Sequence, residues 1–142
     1  MSEGALVKKL GIKPNHRLLI LNAPEGYPEQ LGPLPEGATR STTADGSHFD
    51  FVQLFVKSRA ELEQQAASVL GALKPGGLLW LCYPKQSAKL NTDIHRDTGW
   101  EAVTSAGFES VSLISVDDVW SAMRFRPTEL VKRSSTSSRR TN

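Results

Sequence analysis

Three continuous apolar runs constrain the fold of this chain more than any other feature. They are RLLILN (17–22), FDFVQLFV (49–56) and LLWLCYP (78–84). None of them shows the strict polar–apolar alternation of a strand with one wet face. Continuous apolar strands are typical of parallel sheets that helices cover on both faces. The sequence therefore predicts a buried sheet whose strands run mostly parallel.

Helical patterns separate these strands. Ser58 and Glu61 have the spacing of a capping box, and an apolar stripe follows them from Leu62 to Leu73. The KPGG segment (74–77) is expected to end this helix and turn the chain into the next strand. The pattern further predicts a helix from Thr92 or Asp93 to about Ala106–Gly107.

The remaining segments complete an α/β architecture. The Pro- and Gly-rich segment 23–47 is expected to be loop, with a turn of helix near 29–31 and a short strand near 38–42. The chain closes with two strands, FESVSLISV (108–116) and VWSAMRFRP (119–127). Their short connection requires an antiparallel pair. We predict a three-layer α/β sandwich with a mostly parallel sheet and an antiparallel C-terminal hairpin.

Length and charge indicate one domain with a basic tail. The 142 residues suit a single domain, predicted over 1–130. Residues 132–142 are Ser-, Thr- and Arg-rich with no apolar side chain, so we expect the tail, 131–142, to be disordered. No apolar run reaches 18 residues and the N-terminus lacks a signal-peptide pattern, so the expected location is the cytoplasm, away from membranes.

Cysteine and histidine usage argues against redox and metal chemistry. Cys82 is the sole cysteine and lies in an apolar run, where a buried thiol is ordinary core. His16, His48 and His95 lie in separate segments without metal-ligand spacing. No metal site is predicted. Motifs of nucleophilic hydrolases, P-loop enzymes and dinucleotide-binding dehydrogenases are also absent from the sequence.

Two family resemblances arise from these segments. The order FDFVQLFV, LKPGG, LLWLCYP and AGF, followed by a closing hairpin, resembles the second half of class I S-adenosylmethionine-dependent methyltransferases, which have a Rossmann-like fold. Residues 6–127 also resemble a small bacterial family of unknown function that shares LNAPEGY, LGPLP, YPK and a WSAxRFRP ending. The methyltransferase resemblance implies an S-adenosylmethionine crevice at the carboxyl ends of the first two strands.

The first loop departs from the methyltransferase pattern. LNAPEGY holds one glycine, Gly26, where the family usually has two or three, and Pro24 lacks a backbone N–H. One helix–strand unit is also missing between residues 28 and 48. These departures favour a non-catalytic binding or regulatory module. An active methyltransferase with an altered cofactor loop is the alternative hypothesis.

Candidate site residues follow from topology, because the carboxyl ends of parallel strands share one side of the sheet. The first loop supplies the cofactor-binding candidates Asn22, Glu25, Gly26 and Tyr27. Later loops add Lys57, Tyr83, Lys85, Asp93 and Arg96 as further crevice candidates. A crevice of this composition would suit a small anion; the alternative is a solvated polar rim in which Asp93 caps its own helix.

The last strand and the tail offer two further hypotheses. Trp120, Arg124 and Arg126 are expected on one face of an edge strand, where they would suit a protein partner. Pairing of Arg124 with Asp117 or Asp118 is the alternative. Nucleic-acid binding through the basic tail ranks last, because few aromatic residues are expected at the surface to stack on bases.

Overall fold

A computed structural model describes residues 5–43, 46–85, 92–96 and 98–128. Within these ranges, six strands and four helices succeed one another. In order they are α1 (Ala5–Leu10), β1 (Arg17–Leu21), α2 (Tyr27–Leu31), β2 (Thr39–Ser41), β3 (Phe49–Phe55), α3 (Arg59–Ala72), β4 (Leu73–Pro84), α4 (Glu101–Thr104), β5 (Phe108–Ser115) and β6 (Trp120–Pro127). The predicted tail, 131–142, lies outside the described residues.

The strands form one mixed sheet with the order β2-β1-β3-β4-β6-β5. The first four strands in this order are parallel, and β6 is antiparallel to both β4 and β5. This confirms the predicted α/β sheet with an antiparallel C-terminal hairpin. Because β2 and β3 lie on opposite sides of β1, the strand order reverses at the carboxyl ends of β1 and β3. Open α/β sheets bind ligands at such a switch point.

Two apolar layers cover the faces of the sheet, as the continuous apolar runs predicted. On one face, Leu19, Val52 and Leu81 pack with residues of α3 such as Leu62. On the other, Leu10 of α1 and Tyr27 of α2 pack with strand residues. Side chains alternate between the faces along each strand, so a strand covered on both faces is apolar throughout.

Helix α3 begins as its capping box predicted. The Ser58 hydroxyl accepts a hydrogen bond from the Glu61 backbone N–H at 3.1 Å. The Glu61 carboxylate accepts one from the Lys57 N–H at 2.6 Å. These two bonds satisfy donors that a helix start leaves unpaired. The KPGG segment forms the first part of β4 itself, because α3 ends at Ala72 and β4 begins at Leu73.

The helix predicted from residue 92 or 93 to about residue 106 is wrong over most of its length. Only Glu101–Thr104 is helical among its described residues. His95 and Thr98 exchange backbone hydrogen bonds in a tight turn, and Gly99 has a φ of 102° that an α-helix excludes. Trp100 also donates its ring N–H to the His95 carbonyl at 2.8 Å. Local hydrogen bonds of this turn therefore replace those of the expected helix.

The last strand lies inside the sheet. We expected it to be an edge strand, but β6 pairs with β4 on one side and β5 on the other. Strand β5 is the edge strand on this side of the sheet. Among the described residues, no helix is long and apolar enough to cross a membrane.

Candidate functional site

The switch point between β1 and β3 is closed by a side chain of the first loop. Asn22 follows β1 with a left-handed φ of 60°. Its side-chain amide donates to the Phe55 carbonyl at the end of β3, at 3.3 Å. Asn tolerates this backbone region better than most residues. The first candidate of the cofactor loop therefore joins the ends of the two strands.

A cavity of about 360 Å³ opens beside this bond; we call it the carboxyl-end crevice. Its walls come from the ends of β1 and β3, the first turns of α3 and the start of β6. The lining residues are Asn22, Phe55, Lys57, Glu61, Gln64, Gln65 and Trp120. Of the predicted site residues, the structure brings Asn22 and Lys57 together here.

Sequence reasoning missed the contribution of α3. Glu61, Gln64 and Gln65 lie on its first two turns, directly after a strand end that we had included. The polar residues of those turns were the available signal, because a helix that follows a parallel strand begins at the carboxyl end of the sheet. Its N-terminal turns therefore face the same side as the strand loops.

Gly26 and Tyr27 shape the loop from within. Gly26 has a φ of 85° and precedes α2, which begins at Tyr27. Only 1% of Tyr27 is exposed, and its hydroxyl donates to the Gln53 side-chain oxygen at 2.9 Å. Glu25 is exposed in the turn before the helix. None of these three residues lines the carboxyl-end crevice.

Tyr27 belongs to a buried polar chain. The Gln53 amide donates in turn to Cys82 Sγ at 3.2 Å. Both Gln53 and Cys82 are fully buried. Burial raises the pKa of the Cys82 thiol to about 12 and also raises the pKa of Tyr27. Both groups are therefore neutral near pH 7, and neither is poised for nucleophilic or acid–base chemistry.

An aromatic cluster fills the space beneath the crevice. The rings of Tyr27 and Phe55 meet edge to face, with centroids 4.9 Å apart. Phe55 and Trp120 do the same at 5.1 Å. Edge-to-face pairs stabilise a core beyond the burial of their area. Trp120 is 6% exposed, so its ring belongs mainly to this cluster.

Tyr83, near the end of β4, and Lys85, directly after it, face other neighbours. The Tyr83 ring packs against Trp100, with centroids 5.3 Å apart, on the face that α3 covers. Lys85 donates its ammonium to the Ser115 hydroxyl at 2.6 Å and its backbone N–H to the Val119 carbonyl at 2.7 Å. The two bonds of Lys85 hold the end of β4 to the C-terminal hairpin. Neither Tyr83 nor Lys85 lines the crevice.

Asp93 and Arg96 do not converge with the first loop either. The Asp93 carboxylate accepts the Arg59 N–H at 2.8 Å, at the start of α3. Asp93 therefore binds the start of α3. The prediction that it caps a helix of its own is wrong. Arg96 is exposed beside a separate cavity of about 340 Å³ against β5 and β6.

Comparisons with known proteins identify the fold and no family. No protein-family model matches the chain, and no curated protein matches it. Solved structures do match it. The DhpI complex with SAH is 15% identical, with a TM-score of 0.55 over 87% of this chain and 82% of DhpI. The glycopeptide N-methyltransferase MtfA is 14% identical, with a TM-score of 0.57 over 84% of this chain and 92% of MtfA.

A third neighbour is fibrillarin from Aeropyrum pernix, solved with natively bound S-adenosyl-L-methionine. It is 12% identical, with a TM-score of 0.55 over 86% of this chain and 73% of fibrillarin. At such identities the likeness concerns the fold alone. The chain has the Rossmann-like fold of S-adenosylmethionine-dependent methyltransferases.

The described residues do not form the usual cradle for this cofactor. At the end of β1 the Asn22 amide is bonded to Phe55, and the Tyr27 hydroxyl is bonded to Gln53. Gly26 has a φ of 85°, so this glycine provides a left-handed turn before α2. Strand β2 ends at Ser41, and the described residues directly after it, Thr42 and Thr43, carry no carboxylate for a ribose.

Proposed function

We propose that this chain is a methyltransferase-like domain that acts as a binding or regulatory module and does not transfer methyl groups. The observation that carries the proposal is the filled switch point. Tyr27, Phe55 and Trp120 pack into one aromatic cluster there, and the Tyr27 hydroxyl is committed to a buried glutamine. A ligand that reaches deeper than the carboxyl-end crevice would have to displace this packed core.

The groups that remain at the carboxyl-end crevice suit recognition better than catalysis. The Glu61 carboxylate already accepts the Lys57 N–H. Gln64 and Gln65 have neutral amides that bind polar groups but do not exchange protons at neutral pH. Lys57 is exposed and adds one positive charge. Together they favour a small polar ligand held at the mouth of the crevice.

The alternative is an active methyltransferase that holds S-adenosylmethionine through an altered loop. The observation in its favour is the fold, since the neighbours include structures solved with SAH or S-adenosyl-L-methionine. In this case the cofactor would use Lys57 and the glutamines of α3 in place of glycine-rich backbone.

Calorimetric titration with S-adenosylmethionine and S-adenosylhomocysteine separates the two hypotheses. Gln65→Ala removes a crevice amide, and Glu63→Ala is the matched control, because Glu63 is exposed on the same helix and does not line the crevice. We expect no saturable heat with either compound at millimolar concentration. Saturable one-to-one binding that Gln65→Ala weakens and Glu63→Ala does not would favour the methyltransferase and overturn the proposal.

A further inference from the structure

A second, larger cavity lies at the opposite end of the sheet. It measures about 450 Å³ and opens where β1, β3 and β4 begin, below the C-terminal end of α1. We call it the amino-end cavity. Its charged lining consists of Lys9, Lys13, Asp50, Lys74 and Arg124, and Leu78 and Ile114 contribute apolar wall. The volume is within the range of small-molecule sites.

Positive charge dominates this cavity. Four of the lining side chains are cationic and one is a carboxylate, Asp50, so the excess is three charges with His16 neutral. Asp50 is already engaged, because it accepts the Arg17 N–H at 2.8 Å and pairs with Lys74 at 3.0 Å. The carboxylate therefore has little capacity left to neutralise the other cations.

Arg124 is the cation whose setting points most directly to a ligand. It lies on β6 opposite Trp80 of β4 and Ser112 of β5, on the face where α1 packs. Its Nε is buried and has no hydrogen-bond partner among the described residues. Burial and the neighbouring Arg126 lower the pKa of Arg124, although an arginine still carries its charge at neutral pH. A buried N–H donor without an acceptor is destabilising, and a bound acceptor would relieve this.

Lys13 supplies a second uncommitted charge. Its backbone N–H donates to His16 Nδ1 at 3.1 Å, which fixes the turn between α1 and β1. Its ammonium forms no hydrogen bond or ion pair within the described part of the chain, and the side chain is exposed at the mouth of the cavity. By contrast, Lys9 donates its ammonium to the Ser115 carbonyl at 2.9 Å.

The KPGG segment forms the floor of the cavity. Four residues, 74–77, stand opposite the single residue Asp50, because the β3–β4 register passes from Phe49↔Leu73 to Phe51↔Leu78. Gly76 has a φ of 78°, which suits glycine and strains other residues. The four residues of this irregularity all line the cavity. From the sequence we had assigned KPGG only a turning role.

We propose that the amino-end cavity binds a small organic oxyanion, a phosphate or carboxylate carried on a small apolar body. The Arg124 guanidinium offers the planar fork that suits two oxygen atoms of such a group. Lys13 adds charge at the mouth, and Leu78 and Ile114 contact the apolar part. This site is separate from the carboxyl-end crevice and does not depend on the function proposed there.

The test is a titration of the full chain with inorganic phosphate, phenyl phosphate and citrate, followed by calorimetry and amide NMR shifts. Arg124→Gln removes the fork and Lys13→Ala removes the second charge. Lys8→Ala is the matched control, because Lys8 is an exposed lysine of the same helix region that does not line the cavity. Arg124→Lys keeps the charge and loses the fork, so it serves if Arg124→Gln does not fold.

We expect one saturable site, with phenyl phosphate bound more tightly than inorganic phosphate. Arg124→Gln should weaken binding about tenfold or more and Lys13→Ala about two- to fivefold, while Lys8→Ala leaves it unchanged. Equal weakening by all three substitutions would indicate unspecific surface charge and overturn the proposal. Absence of saturation at about 10 mM ligand, or binding of a DNA oligonucleotide in preference to the small anions, would do the same.

Discussion

The two ends of the sheet differ in how their polar and charged groups are paired. At the carboxyl end, polar groups bond to one another and aromatic rings fill the space, as Asn22 bonds to Phe55 and Tyr27 to Gln53. At the amino end, cations outnumber carboxylates among the described lining residues, and the Arg124 Nε has no hydrogen-bond partner among them. In open α/β sheets the carboxyl end is the usual ligand side. Here the charge imbalance lies on the other side, so the fold alone does not locate the site.

The largest expected effect comes from opening the carboxyl end. Tyr27→Ala removes a buried ring from the aromatic cluster and leaves a cavity, so the free energy of unfolding should fall by about 3–5 kcal/mol. Urea denaturation followed by tryptophan fluorescence measures it. A loss below about 1 kcal/mol would mean that packing does not close this end. Tyr27→Phe keeps the ring and leaves the Gln53 oxygen unpaired, for a loss of about 1–3 kcal/mol.

Raising the pH tests the buried chain at the same end. Burial raises the pKa of Cys82 to about 12 in the folded protein. The contribution of the neutral thiol to stability is therefore complete below the unfolded thiol pKa of about 8.5 and is lost as the pH rises towards 12. The free energy of unfolding should fall by about 2 kcal/mol between pH 7 and pH 10. Cys82→Ala should show a smaller fall. An equal fall in both proteins would assign the effect to other groups.

The folded protein should also shield Cys82 from a thiol reagent. The thiol is fully buried, so Ellman's reagent should react at the rate of unfolding in the native protein and immediately in urea. A fast reaction in native buffer would show that the carboxyl end opens easily.

A smaller effect is expected from the one carboxylate of the amino-end cavity. Burial would raise the pKa of Asp50, but the Arg17 N–H and the Lys74 ammonium outweigh it and lower the pKa. Its contribution is therefore present above the unfolded pKa of about 3.9 and is lost as pH falls through the folded value. Asp50→Asn should destabilise by about 1 kcal/mol at pH 7, and the difference from the native protein should shrink below about pH 4.

The smallest effect is expected at the rim of the carboxyl-end crevice. Lys57→Ala removes an exposed side chain whose backbone N–H still reaches Glu61. The free energy of unfolding should change by less than about 0.5 kcal/mol. A larger loss of stability in urea denaturation would show that the rim of the carboxyl-end crevice stabilises the fold. The rim would then not differ from the packed aromatic cluster beneath it.

The sequence predicted the parts of the fold that depend on local pattern. The three apolar runs became β1, β3 and β4, and the Ser58–Glu61 capping box starts α3. The helix expected at 92–106 is wrong because apolar spacing does not reveal the turn before Glu101, where Trp100 packs on the Tyr83 ring. The interior position of β6 also escaped sequence reasoning, since strand order depends on contacts between distant segments.

The candidate site was predictable only in part, for the same reason. Of the residues that topology placed on one side of the sheet, Asn22 and Lys57 line one cavity. Topology placed Tyr27 with them, but the ring turns inward to Gln53, a partner 26 residues away along the chain. Asp93 was assigned to its own helix, whereas it caps α3. The side that a polar residue faces depends on its hydrogen-bond partner elsewhere in the chain, and the local sequence does not identify that partner.

The sequence by itself determined the α/β class, the parallel sheet and its antiparallel finish, because burial on both faces requires continuous apolar strands and short connections require antiparallel pairs. Only the tertiary structure decided what each end of the sheet presents. In the first loop, long-range hydrogen bonds engage the Asn22 amide and the Tyr27 hydroxyl. The fold brings Lys13 and Arg124 to one cavity, although they lie far apart in the sequence.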